Sequence, residues 1–380
     1  MRICMFGTYE AGYDRNRVLR EGLEEAGIEL IECHEPVWES MRYKTSAING
    51  PLHYLGIVGR LLLAYAKLSI RYLRTPDHDV VLVGYLGHFD VFPARLLSWL
   101  RRKPLVFDAF VSLYDTAVED RRVFSKTSLP ARILKMVDRW SCKLADLVLL
   151  DTDQHIDYFC SEFRLDRGKF QRVLVGADSA YIHDHPRAPE SGYGEPFVVL
   201  FYGKFAPLHG IRFILDAAHA LRDHPDILFR IVGGGQTFDE STAHAKELGL
   251  GNLDLIPWLE PDALREAIAE AGVCLGIFGD TAKASRVVPN KVYQCLAAGT
   301  AVITGRSAAS EALLRDRGNV LLCEMADGYA LAEAILELRN DPAMRRRLGA
   351  AAAATFVERF TPAAIVKTQL VPRLRALCAG

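Results

Sequence analysis

The sequence predicts a two-domain α/β protein built on doubly wound parallel sheets, and three observations predict it. Short apolar runs alternate with amphipathic stretches over residues 1–182, and the same alternation restarts at residue 197. Between them lies HDHPRAPESGYGEP (183–196), charged, rich in Pro and Gly and without apolar periodicity, which is the composition of a linker. The 380 residues also divide, at a usual size of about 150, into two to three domains. With 50% hydrophobic and 24% charged residues the chain can bury sizeable cores, so disordered and collagen-like classes are excluded. Forty-six basic against 47 acidic side chains leave a formal charge of −1, which gives no global footprint for nucleic acid.

In the first domain, 3–6 reads as a strand and 16–26 as a helix closed by Gly27, with further strands at 80–83, 105–107, 147–150 and 172–175. In the second, strands are expected at 197–201, 227–232, 253–256, 273–278, 301–304 and 320–323. Helices are expected at 211–221, 239–248, 262–271, 290–298 and 308–314. Three helical stretches follow, at 328–339, 342–358 and 362–377, and residues 361–380 are expected to return to the first domain. Eight cysteines without CxxC spacing lie mostly in apolar runs, a pattern that favours a reducing cytoplasm over a disulfide or zinc framework. The start, MRICMFG, is too short in apolar residues for a signal peptide and runs directly into the first strand.

Parallel sheets bind ligands beyond the carboxyl ends of their strands, so the loops there carry the functional reading. Gly7-Thr8-Tyr9-Glu10-Ala11-Gly12 is either a ligand loop or a tight connection, and it does not match GxGxxG. In Gly203-Lys204-Phe205-Ala206-Pro207-Leu208-His209-Gly210, Lys204 and His209 could reach one anion; alternatively Lys204 is solvated and His209 caps a helix. Gly233-Gly234-Gly235 follows an apolar strand and permits close backbone approach. In the segment from Pro289 to Gly299, Pro289 is placed for a helix start and Gly299 for its C-terminal cap. Asn290, Lys291 and Gln294 share one face of that helix, suited to phosphate or ribose or else merely wet.

The ordered set GKFAPLHG, IVGGG, PNKVYQCLAAGTAVI, SEALL, GNVLL and DGYALAEAILELRNDPAMRRRLG resembles the donor-binding domain of retaining glycosyltransferases of family 4, over residues 197–360. The first half agrees more loosely, through ADLVLLDT and VLVGAD. The resemblance implies the GT-B architecture, with two Rossmann-like domains facing a cleft: an acceptor-binding domain at 1–182 and a donor-binding domain at 197–360. It further implies a nucleotide-diphosphate sugar as donor substrate and neither metal nor cofactor. Lys204 falls where the family usually has Arg and His209 where it has Lys, the pair that neutralises the diphosphate. Gln294 and Arg286 occupy the second and first positions of the family's E-x7-E motif, and Arg286 cannot copy a carboxylate beside the sugar. Glu311 matches a Glu that the family carries after its penultimate strand, and amides at 307–310 would meet phosphate at a helix N-terminus.

In the first domain Asp108 and Asp115 follow an apolar strand on the ligand side, Asp108 standing where many family members have a catalytic-site His. Asp108 is expected to act as acceptor ligand or base, or to cap the next segment; Asp90 is a weaker candidate of the same kind. Residues 55–74 are strongly apolar with Arg60, Lys67, Arg71 and Arg74 on one helical face: a core helix with a solvated basic side, or an interfacial helix on anionic lipid. The expected activity is sugar transfer, most naturally of a hexosyl group, from a nucleotide-activated donor to a sugar or lipid-linked acceptor, in cell-surface glycan or glycolipid assembly. The expected location is cytoplasmic, with peripheral contact at the inner face of the membrane through 55–74. A GT-B-type sugar-nucleotide epimerase and a non-catalytic nucleotide-sugar sensor are the alternatives.

Overall fold

The computed structural model describes residues 1–37, 51–182 and 196–379, with residues 51–55 described by backbone alone. The expected linker, apart from Pro196, lies outside the described residues. The chain divides into two units: Met1–Asp115, Phe124–Leu174 and Pro362–Gly380 form the first, and Thr116–Val123 with Val175–Thr361 the second. The division therefore falls at 174/175 rather than 182/183, and a short stretch of the N-terminal half belongs to the second unit.

In the first unit the elements run β1 (Arg2–Gly7), α1 (Asp14–Glu25), β2 (Glu29–His34), α2 (Pro51–Arg74), β3 (Val80–Val83) and α3 (Val91–Leu100). They continue with β4 (Leu105–Asp108), α4 (Leu129–Leu144), β5 (Leu147–Leu150), α5 (Asp153–Phe163) and β6 (Phe170–Arg172). The parallel sheet has the order β2-β1-β3-β4-β5-β6. β3, β4 and β5 are buried at every position, which explains their continuous apolar runs. Caps set helix starts where the sequence supplies them: the Ser128 hydroxyl accepts from the Ala131 amide, and that of Thr152 from the His155 amide. Crossovers from β2 through to β6 step in one direction across the sheet, so right-handedness places α2, α3, α4 and α5 on one face. The opposite step from β1 to β2 places α1 on the other. There α1 packs against α13 (Pro362–Ile365), which leads through a π-helical turn into α14 (Val371–Ala379).

The second unit runs β7 (Phe197–Tyr202), α6 (Ile211–Ala220), β8 (Ile227–Val232), α7 (Phe238–Glu247), β9 (Leu253–Ile256), α8 (Pro261–Glu270) and β10 (Val273–Leu275). It continues with α9 (Asn290–Ala297), β11 (Val302–Gly305), α10 (Ala308–Leu313), β12 (Leu321–Cys323), α11 (Gly328–Asn340) and α12 (Pro342–Arg359). Its parallel sheet has the order β12-β11-β10-β7-β8-β9. Phe197, Phe201, Phe229, Ile231, Ile303 and Leu331 anchor a core between sheet and helices.

Two strand expectations need correction. The strand expected at 172–175 is shifted to Phe170–Arg172, because the carbonyls of Val173 and Leu174 leave the ladder to accept from the Arg15 guanidinium at 2.8 and 2.6 Å. The strand expected at 273–278 ends its ladder at Leu275; beyond it the amides of Phe278 and Gly279 donate to the carbonyls of His209 and Leu208.

Candidate functional site

The strand order of the second unit reverses between β7 and β10, so the loops after these two strands flank the sheet's switch point, where open α/β sheets bind ligands. The first loop, 203–210, lies against the second through the bonds of His209 and Leu208 to 278 and 279. It lies equally close to the loop after β8. The Phe205 amide donates to the Gly234 carbonyl at 3.0 Å, and a Cβ on Gly233 would meet the Gly203 oxygen at 2.1 Å. Gly233 and Gly235, both at positive φ, are thus required by loop-on-loop packing, whereas a Cβ on Gly234 meets nothing within 4 Å.

Lys291, in the first turn of α9, is 5% exposed, and its Nζ has no hydrogen-bond partner among the described residues. The ammonium lies over the Phe201 ring, 3.7 Å from the centroid. A Cβ on Gly203 would sit 3.1 Å from Lys291 Nζ and 3.7 Å from His209 Cε1, so loop glycine, lysine and imidazole share one corner of the fold. Burial holds the Lys291 pKa well below the usual lysine value. The same burial, with the Lys291 charge next, drives the His209 pKa well below its ordinary value. His209 Nδ1 hydrogen-bonds the Lys204 carbonyl, which fixes the neutral tautomer with its proton on that atom.

The expected pair at 204 and 209 therefore has a third member, Lys291, packed beside it. Lys204 is exposed, burial draws His209 toward its neutral form, and Lys291 is the buried amine of the site, its charge disfavoured by the same burial. Asn290 begins α9 half-buried, and Gln294 is buried with its Oε1 accepting from the Tyr202 hydroxyl at 2.9 Å. Pro289 is the N-cap of α9 rather than its first residue, and Gly299 follows its end at φ 69°. Arg286 is half-buried in the loop before α9. Glu311 accepts from Arg306 at 3.1 Å on a half-exposed surface. The expected phosphate-facing amides at 307–310 are partly spent: that of Ser310 donates to the Ser307 hydroxyl in a capping box.

In the first unit the order reverses between β1 and β3, and the loops after these strands are clasped by Asp90. It accepts from the Thr8 amide at 2.7 Å, the Thr8 hydroxyl at 2.9 Å and the Tyr65 hydroxyl at 3.0 Å. Gly12 sits exposed in this turn, and a Cβ there would meet nothing within 4 Å. Asp108, expected as a base or acceptor ligand, is wholly buried. Its two oxygens accept from Arg15 Nε and Nη2 at 2.8 and 2.9 Å. A carboxylate occupied by a bidentate guanidinium and closed to solvent is not placed to take a proton from an acceptor. Asp115 is also buried, its amide donating to the Ser112 hydroxyl at 2.9 Å.

Two contributors carried no signal in the sequence. Tyr202 ends β7 and reads only as part of an apolar run. The Thr116–Val123 stretch enters the second unit through bonds from Lys283 to the Thr116 hydroxyl at 2.6 Å and from Gln236 to the Arg121 carbonyl at 2.7 Å. Among the described residues, no group of three or more His, Cys, Asp or Glu could hold a metal ion.

The chain is similar over its whole length to solved structures. HepE of Anabaena in complex with UDP superposes with a TM-score of 0.68 at 14% identity, covering 99% of both chains. Sucrose-phosphate synthase of Thermosynechococcus elongatus gives 0.69 at 18% identity, covering 100% of this chain and 99% of that one. The fold is GT-B. Within this GT-B chain, residues 186–355 match the family model described as glycosyl transferases group 1, a segment that holds Lys204, His209, Lys291, Gln294 and Glu311. A lipopolysaccharide core biosynthesis glycosyltransferase of Rhizobium meliloti, LpsE, is 26% identical over 198 residues, covering 52% of this chain and 53% of that protein. The GT-B chain spans about half, or less, of the length of the curated relatives it matches.

Proposed function

We propose that the chain is a glycosyltransferase that moves a sugar, with retention, from a nucleoside-diphosphate sugar to a hydroxyl of a sugar or lipid-linked acceptor. The reading rests on Lys291: a buried ammonium without a hydrogen-bonding partner is costly, and it is retained where a glycine loop and a neutral imidazole converge at the sheet's switch point. A diphosphate supplies the missing counter-charge. As the sugar–phosphate bond breaks, negative charge grows on the leaving diphosphate, and a cation already fixed there lowers the barrier most at that moment. Exposed Lys204 adds a second cation on the same loop, and His209, neutral when the site is empty, gains a proton more readily beside an anion. Gln294, steadied by Tyr202, is assigned to the ribose and Asn290 to the phosphates.

With no carboxylate nucleophile assigned, the transfer is read as a same-face displacement in which the leaving phosphate helps to deprotonate the acceptor. The reading invokes neither metal nor cofactor and places the enzyme in the cytoplasm. The name of LpsE favours cell-surface glycan or glycolipid assembly. A thermal-shift panel of nucleoside diphosphates, with UDP and UDP-glucose first because HepE carries them, tests the donor site. Stabilisation by one base's diphosphate supports it, and no shift with any of them overturns it. Product analysis then separates transfer, which requires an acceptor, from epimerisation, which releases nucleotide without one, and from binding without turnover.

A further inference from the structure

The helices α2, α3 and α4 lie side by side on one face of the first sheet, and their outward side is unlike the rest of the surface. Thirteen of the twenty large hydrophobic side chains that are exposed among the described residues belong to these three helices. Leu62 is 64% exposed, Leu96 67%, Trp99 58% and Leu129 70%. Soluble monomers seldom gather so much apolar surface in one place without a use for it.

Charge on the same helices is one-sided. α2 carries four Lys and Arg, α3 one and α4 four, against a single carboxylate, Asp138, which is wholly buried. This occurs in a chain whose basic and acidic residues otherwise balance, at 46 against 47. Acids outside the helices answer part of it: Glu35 meets Lys67 and Arg71, Asp146 meets Arg95, and Glu162 meets Lys135. Arg60, Arg74, Arg132 and Lys143 have no carboxylate partner among the described residues. α5, in the same layer, shows the opposite character, with Asp153 and Asp157 exposed and no large exposed hydrophobic side chain.

We propose that the outer face of α2, α3 and α4 is a docking surface for an anionic lipid bilayer, on which the first unit lies without crossing it. Only an anionic interface meets both halves of the patch: lipid phosphates answer the unpartnered guanidinium and ammonium groups, while leucine and indole side chains enter the acyl boundary. A second copy docking face to face would set cations against cations. No described helix is long and apolar enough to cross a membrane, so the contact is interfacial.

Co-sedimentation of the full chain with vesicles tests this without donor or acceptor, so a failed donor-binding assay leaves it untouched. Vesicles containing phosphatidylglycerol should pellet the protein, and pure phosphatidylcholine vesicles should not. Replacing three of these four cations in R60Q/R132Q/K143Q should weaken binding about a hundredfold, at roughly fivefold per charge. L96E/W99E should abolish it, and both variants should melt like the parent because the changed side chains are exposed. In the parent, Trp99 and Trp140 fluorescence should shift to the blue with anionic vesicles. Binding to neither vesicle type, equal binding to both, undiminished binding by the variants, or a dimer in solution that L96E/W99E dissociates would each overturn the proposal.

Discussion

Lys291 Nζ stands 3.7 Å from the centroid of the Phe201 ring, a buried charge whose nearest attraction is an aromatic face. The ring's quadrupole contributes on the order of 1–2 kcal/mol at a desolvated site, less than a full ionic partner would. The free protein therefore holds a group that works against folding, in the way sites do when stability is traded for binding. Lys291→Met keeps the length and apolar stem and removes the charge. It should raise the stability of the free protein by about 1–2 kcal/mol in urea unfolding and abolish the thermal shift given by nucleoside diphosphate. A variant whose diphosphate shift equals the parent's would remove Lys291 from the donor site.

His88 gives the first unit an acid-sensitive point. The ring is buried, Nε2 donates to the Val111 carbonyl at 3.0 Å, and Nδ1 has no partner among the described residues. Asp138 lies 3.4 Å away but is occupied by Ser112 and by the amides of Leu113 and Tyr114. Burial pushes the His88 pKa from 6.5 down to about 4. Between those values the unfolded chain binds the extra proton and the folded one does not, so folding stability falls as pH drops through that window and is unaffected by this group above it. The slope expected from one proton is about 1.4 kcal/mol per pH unit. His88→Gln should flatten urea-unfolding stability against pH across this window; a slope equal to the parent's would assign the acid sensitivity elsewhere.

Much of this was legible in the sequence because period and punctuation are local. The apolar runs that became β3, β5, β8 and β9 kept their bounds, and the Gly and Pro residues around α9 marked its ends. What escaped depends on partners far along the chain. Arg15 sits in an amphipathic helix where a guanidinium is ordinarily solvated, yet it is wholly buried because Asp108 and the carbonyls of Val173 and Leu174 converge on it. His209 reads as a cation from its place in a loop, and only burial, with the nearby Lys291 charge next, draws its pKa down against the opposing pull of the Lys204 carbonyl. Residues 55–74 read as a core helix or an interfacial one because periodicity reports that a face is apolar, not what covers it.

The Arg15–Asp108 fork separates a structural from a catalytic reading of Asp108. Both side chains are fully buried, and burial, the larger effect, pushes the Asp108 pKa up while Arg15 draws it back. Breaking such a pair from one side strands the other charge, at a cost of about 3–5 kcal/mol, whereas replacing both with apolar groups of similar volume is often neutral. Asp108→Ala should therefore lose that much stability in urea unfolding, and R15M/D108L should recover most of it. A general base would add a loss of turnover: Asp108→Asn, isosteric and uncharged, would depress kcat by roughly 100-fold or more in protein that remains folded. Should Asp108→Asn show that pattern, with KM unchanged, the base assignment would stand and the fork would be a resting arrangement that opens when acceptor arrives.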